Sequence, residues 1–338
     1  MIERWVAVAG LVLSVLSVLV APAALAQPTP PRPPTTLSVV SFDGGWNLPV
    51  WAAQRQGFSE ENGVVVQLSH TPNSAAPLSG MFDGRYHVAL ASIDNFIAAQ
   101  EGQSEAKIPE NPDLFAFMGS DSGFLAVAGA PGVKSFADLR GKSLSVDSMT
   151  NGYAYVLRDL VARNGLADAD VNYVRAGGTS NRYRELVAGK HQGTILRTPF
   201  ELLARARGAT ILATPDALGP YMGTVGAARR SWASANDPAL VGFIRAYKAG
   251  VDWIYDKGNR DVVEAMLVAN IRDMSHPLAR QSYDALLADK GGIYRTLALD
   301  PGGIRTVLEL RSRYGTPQKT LTDPSKYIDT SYLRKALD

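Results

Sequence analysis

The strongest constraint on this chain is an alternation that begins near Leu37. Short apolar runs of strand length are separated by segments whose apolar residues recur at helical spacing. Residues 37–42, 64–68 and 87–91 read as strands. A helix opened by Pro49 and ending near Gly57, one over residues 75–82 stopped by Asp83-Gly84, and one over residues 95–100 follow them in turn. Strands spaced by single helices pair in parallel through right-handed crossovers, so helices cover the sheet faces and ligands lie beyond the carboxyl ends of the strands. The pattern predicts an α/β protein.

A polar, proline-punctuated excursion over residues 102–112 precedes two further strands at 114–118 and 124–128. The alternation then restarts in residues 143–161 as a strand, a polar loop and an amphipathic helix. Tyr153, Val156, Leu157, Leu160 and Val161 keep the spacing of one buried helical face, and Asn164-Gly165 supplies the stop. Thr150 or Asn151 can cap this helix, which turns free N–H groups and the positive dipole end toward the crevice, a setting that receives carboxylate, sulfonate or phosphate. A capped loop that touches no ligand has the same sequence. A strand at 170–174, a loop at 177–180, a helix at 181–188, a strand at 194–197 and a helix at 199–207 complete this second run.

From Met222 a strand at 223–228 leads into helices started by Asp237-Pro238, Asn259, Ser275 and Asp300-Pro301. Lacking strands of their own, these helices must cover the first sheet. The expected organisation is therefore a discontinuous first lobe of residues 37–123 and 222–338 and a second lobe of residues 124–221, each a mostly parallel sheet flanked by helices. The chain would cross between them near Phe124 and over residues 214–221.

Composition narrows the function classes. Arg4 precedes an apolar run over residues 5–20 broken only by serine and glycine, and Ala24-Leu25-Ala26 fits a small-x-small cleavage site. Residues 1–26 are expected to be a signal peptide cleaved after Ala26, with export to the periplasm. A retained membrane anchor is the alternative, against which Pro22 argues. Residues 27–36, rich in proline, suit an extended tether. A net charge of +2 without a basic run points away from nucleic acid. The absence of cysteine removes disulfides, thiolate catalysis and cysteine-ligated zinc. Gly141-Lys142-Ser143 ends like a phosphate-binding loop, but Phe136 stands where its first glycine belongs. No Gly-x-Ser-x-Gly or His-Glu-x-x-His occurs, and the histidines at 70, 87, 191 and 276 show no metal spacing. No catalytic residue, metal or cofactor is expected.

Four stretches carry a resemblance. Residues 48–64 (LPVWAAQRQGFSEENGV), 81–89 (MFDGRYHVA), 135–142 (SFADLRGK) and 186–193 (LVAGKHQG) resemble, in order and spacing, motifs of periplasmic solute-binding proteins of ABC importers, in the branch that handles sulfonates, nitrate and thiamine-precursor pyrimidines. His87 and Gln192 stand where that family usually has aspartate. The resemblance implies the type II periplasmic-binding-protein fold. It also implies hinge closure over a small-molecule ligand and docking, as a monomer, on a membrane permease that works with an ATPase. An enzyme on the same scaffold, such as the fungal pyrimidine-synthesising one, and a periplasmic sensor module are the alternatives. The fungal enzyme's cysteine-rich motif has no counterpart here.

Candidate ligand contacts follow from position. Trp46 and Asn47 follow the first strand and can wall a pocket and fix a polar group, or can be a packed turn. Ser92 and Asp94 follow the third strand and can contact ligand or cap the next helix. Thr150, Asn151 and Tyr153 hold the N-terminus described above, and Thr179 and Ser180 another one. Arg197 ends a strand where a guanidinium can hold an acid bidentately, or can pair with Glu201. Phe200 and Tyr221, with Phe42, Trp46 and Tyr153, suit a flat or aromatic ligand. The expected ligand is a small organic anion.

Overall fold

The computed structural model describes residue 1, residues 33–214 and residues 217–338. The expected signal peptide and most of the proline-rich tether lie outside the described residues.

Ten strands build two five-stranded sheets among the described residues. The first contains β1 (Thr35–Ser41), β2 (Val64–His70), β3 (Val88–Ser92), β4 (Leu114–Gly119) and β10 (Thr224–Arg229), in the order β2-β1-β3-β10-β4. The second contains β5 (Leu125–Gly129), β6 (Ser143–Val146), β7 (Asn172–Arg175), β8 (Gly193–Arg197) and β9 (Thr210–Ala213), in the order β7-β6-β8-β5-β9. In each, three neighbouring strands pair in parallel and one inserted strand runs antiparallel: β10 between β3 and β4, and β5 between β8 and β9. The chain passes to the second sheet after β4 and returns after β9.

The helices are α1 (Leu48–Gln56), α2 (Phe58–Glu61), α3 (Ala75–Phe82), α4 (Ile93–Gln100), α5 (Gly152–Arg163), α6 (Thr179–Val187) and α7 (Phe200–Ala206). After β10 come α8 (Arg230–Ala235), α9 (Asp237–Tyr255), α10 (Arg260–Asn270), α11 (His276–Leu286), α12 (Pro301–Tyr314) and α13 (Ser331–Leu337).

Burial explains the sequence pattern. Every residue of β3, β4, β5 and β8 is buried, as continuous apolar runs covered on both faces require. The edge strands β7 and β9 are only partly buried. The long helix α9 buries Leu240, Phe243, Ile244, Tyr247, Val251 and Ile254 on one face against α1 and β2. Truncating one of these to alanine should cost about 2–5 kcal/mol. Gly250 lets α9 approach α1 closely, since a Cβ there would stand 2.1 Å from the Pro49 carbonyl oxygen.

Several boundaries differ from the sequence reading. The strand expected at 170–174 starts at Asn172, because the Asp170 carboxylate accepts the Ala167 N–H and holds Asp168–Asp170 in a 3₁₀ turn. The strand expected from Phe124 starts at Leu125, because Phe124 takes a positive φ of 53° at the crossing. The helix expected from Asn181 begins at Thr179, after an extended Gly178. Strand β9 and helices α8 and α13 carry too little periodicity to have been read.

Candidate functional site

The carboxyl ends of β1 and β3 from the first sheet meet those of β6 and β8 from the second around a small buried cavity. Phe42, Ser92 and Asn95 line it from the first side. Asp147, Asn151, Tyr153, Thr179, Arg182 and Arg197 line it from the second. The cavity measures about 20 Å³, which is room for about one ordered water. Anything larger needs the two sides to move apart first.

Arg197, the last residue of β8, is buried and anchors to both chain crossings. Its Nε donates to the Gly123 carbonyl at 2.8 Å, and its Nη2 donates to Asp121 Oδ1 at 2.8 Å and Thr224 Oγ1 at 2.9 Å. The guanidinium lies 3.9 Å from the Trp46 ring centroid. Nη1 donates to none of the described residues, so a buried cation in the cavity wall keeps one uncommitted nitrogen. The Glu201 pairing weighed from sequence does not occur. Glu201 instead accepts the Thr198 hydroxyl at 2.7 Å, and burial raises its carboxyl to about 7.

Asp147 immediately follows β6. Its Oδ2 accepts the backbone N–H of Ser74, across from the first side, at 3.1 Å, while its buried Oδ1 has no partner. Burial pushes its carboxyl up, and nearby Arg182 opposes the shift. Arg182, on the first turn of α6, is fully buried and tied to the carbonyls of Gly177 and Ile195 and to Thr179 Oγ1. Burial pulls its guanidinium down to about 10. Three hydroxyls complete the wall and its backing: Ser92, Tyr153 and Tyr221 are buried without a hydrogen-bond partner. Ser92 lies near both phenols but meets neither in hydrogen-bond geometry, and desolvation raises both phenol pKa values.

Polar contacts close the two sides over the cavity. Asn151 caps α5 by accepting the Tyr153 N–H at 2.8 Å and donates across to Asn95 Oδ1 at 3.0 Å. Arg311 of α12, fully buried, binds Asp94 through Nε at 2.6 Å and Nη2 at 3.1 Å, and reaches the Thr150 carbonyl at 2.6 Å. The Gly178 N–H donates to the Pro72 carbonyl at 2.8 Å.

Of the residues expected from sequence, Ser92, Asn151, Tyr153, Thr179 and Arg197 line the cavity together. Trp46 lies against the Arg197 guanidinium and meets Phe200, which is core, in a tilted arrangement with ring centroids 6.2 Å apart. Asn47 is buried behind, donating to the Phe42 carbonyl at 2.8 Å, with its Oδ1 unpartnered. Asp94 does not face the cavity; Arg311 holds both its oxygens. Thr150 faces a neighbouring small cavity, and Ser180 an outer pocket that Asp43 and His70 also line. Tyr221 backs Tyr153 at 6.1 Å between ring centroids. Capping does not explain Ser92, whose hydroxyl makes no cap bond to α4. Sequence reasoning missed Asn95, Asp147, Arg182, Asp121 and Arg311. Asp147 had a legible signal, a charged residue directly at the end of a predicted strand. Among the described residues no group of three or more acidic or histidine side chains is arranged for a metal.

A sequence profile described as NMT1/THI5 like matches residues 47–260, more than half of the chain. The chain belongs to the NMT1/THI5 like family. No curated protein sequence matches it. Solved structures share the two-lobed fold of this family member. The alkanesulfonate-binding protein SsuA of Xanthomonas axonopodis pv. citri, bound to MOPS, is 15% identical over 84% of this chain and 94% of its own, with a TM-score of 0.67. The periplasmic nitrate-binding protein NrtA of Synechocystis PCC 6803 is 11% identical over 90% and 88%, at 0.70. The desulfurization enzyme DSZB is 13% identical over 90% and 99%, at 0.61. At such identities the likeness shows the fold.

Proposed function

We propose that this chain is an exported, periplasmic solute-binding protein that captures a small ligand bearing an anionic group and delivers it to an ABC permease. One observation carries the reading. A buried guanidinium with an uncommitted nitrogen and two buried, unpartnered hydroxyls, those of Ser92 and Tyr153, line one cavity at the strand ends, where two halves of the molecule touch through polar loops. Buried polar groups without partners cost free energy that a bound molecule can return. Residues 37–123 with 222–338 and residues 124–221 are the two bodies that move. Closure is favoured only by a ligand that bonds to both. Arg197 supplies the charge, while Ser92, Asn151, Tyr153 and Thr179 supply directional hydrogen bonds.

The reading is that of a binder and not of an enzyme: the site offers anchored donors but no nucleophile paired with a base. A thermal-shift screen of sulfonates, aromatic acids, dicarboxylates, nitrate and pyrimidines tests it. A rise in Tm with the compound recovered unchanged supports it. Turnover of the compound, or no stabilisation across the screen, refutes it. Loss of uptake of that compound on deleting the gene tests delivery.

A further inference from the structure

The cavity holds two buried groups of opposite charge, each with an unused valence. Asp147 is 8% exposed and Arg197 3% exposed, and both line it. Asp147 Oδ1 accepts no hydrogen bond, and Arg197 Nη1 donates none to the described residues. Asp147 and Arg197 are not partners of each other; Arg197 is paired with Asp121, and Asp147 binds the Ser74 N–H. Arg182, the other cation in the wall, spends its nitrogens on backbone carbonyls and Thr179.

A simple anion placed against Arg197 would put a second negative charge beside Asp147 in a desolvated space, which is unfavourable. A simple cation would leave Arg197 Nη1 without an acceptor, since Asp121 is bound only through Nη2. We propose that Asp147 is a specificity-determining residue and that the cavity takes a compact zwitterion, its anionic group on Arg197 Nη1 and its protonated amine on Asp147 Oδ1. This rests on the solute-binding reading above and deepens it. Closure assembles this arrangement, because the Ser74 N–H that holds Asp147 Oδ2 comes from the other side of the cleft.

Matched compounds test it by isothermal titration: β-alanine, propionate and propylamine, and taurine, ethanesulfonate and ethylamine. At least one zwitterion should bind roughly tenfold or more tightly than its matched anion and amine, the value of a charged hydrogen bond. Asp147→Asn keeps an oxygen for the Ser74 N–H and should abolish that preference. Anion and zwitterion binding alike to the natural protein overturns the inference and leaves the solute-binding reading intact. A preference that survives Asp147→Asn overturns the role of Asp147. If none of the six binds while other compounds of the wider screen do, the zwitterion class is wrong. If nothing in either set binds, the solute-binding reading falls with it.

Discussion

Gly152→Ala probes the contact between the two halves with one methyl group. Gly152 opens α5, and a Cβ at this position would stand 2.3 Å from Asp94 Cγ, 2.6 Å from its Cβ and 2.7 Å from its Oδ1. Ordinary carbon contacts need about 3.5 Å or more, so something must shift by roughly 1 Å. Asp94 has little freedom to yield, because Arg311 grips both its oxygens and also holds Gln103 and the Thr150 carbonyl. Breaking that buried pair would cost about 3–5 kcal/mol. Overpacking that is absorbed locally costs about 1–3 kcal/mol. Parting the halves is the cheaper escape, so closure should lose about 2 kcal/mol, which is roughly 30-fold in the affinity of any compound that stabilises the natural protein. Alanine is itself a better helix former than glycine, so α5 should not suffer. The expected result is an unchanged circular dichroism spectrum, a larger radius of gyration by small-angle X-ray scattering, and ligand binding weaker by an order of magnitude. A scattering profile identical to that of the natural protein, with equal affinity, would refute the claim that Gly152 is required for close approach.

Three other outcomes are expected. Arg197→Ala leaves Asp121 buried without its cation and should lower stability by about 3 kcal/mol or more, read as a drop in denaturant midpoint at constant m. Adding Asp121→Asn should recover part of that loss without restoring ligand binding, and full recovery of binding would remove Arg197 from the site. Glu201 is raised from 4.5 to about 7, so the folded state binds its proton more tightly than the unfolded one. Its contribution is complete below about pH 4.5 and is lost as pH rises toward 7, a swing of at most about 3 kcal/mol. Glu201→Gln should flatten that slope and raise Tm at pH 8 while changing little near pH 4.5, and parallel Tm–pH curves for the two proteins would contradict it.

What the sequence made legible was local. Helix α3 matches its expected bounds, and Asn151 caps α5 as its position in the loop suggested, because both depend on residues within a turn or two. The two-sheet architecture followed from continuous apolar runs, which burial on both faces explains. The partners of charged residues were not legible, since they are set by topology. Arg197 was weighed against Glu201, four residues on, yet its partner Asp121 lies 76 residues back across the crossing. Asp94 looked like a cap or a ligand contact until Arg311, 217 residues later, claimed both its oxygens. Thr179 and Ser180 were expected in a loop, but the helix already starts at Thr179, so that Thr179 lines both the central cavity and the outer pocket while Ser180 lines only the outer one.

The seam between the halves has two chemistries. Where α7 meets α11, Trp46, Tyr183, Phe200 and Leu286 share one apolar cluster, and where α5 meets α12, Tyr155, Leu157, Val307 and Leu308 share another. Around the cavity the contacts are polar: Arg311 with the Thr150 carbonyl, Asn95 with Asn151, and Asp147 with Ser74. Separating apolar faces costs about 25 cal/mol for each Å² exposed. Separating hydrogen-bonded groups costs about 0.5–1.5 kcal/mol each when both are neutral and about 1.5–3 kcal/mol when one is charged, because water replaces the partner. Under the solute-binding reading proposed above, the polar contacts are the ones that part to admit a ligand. Arg197 is fastened to Gly123 and Asp121 at one crossing and to Thr224 just past the other, so on that reading its free nitrogen sits where the halves move least. On that reading a ligand docks there first and gains its remaining bonds, to Ser92 and Asn95 from one half and to Asp147 and Asn151 from the other, only on closure. The difference in bonding between the two arrangements is then the free energy that would drive closure.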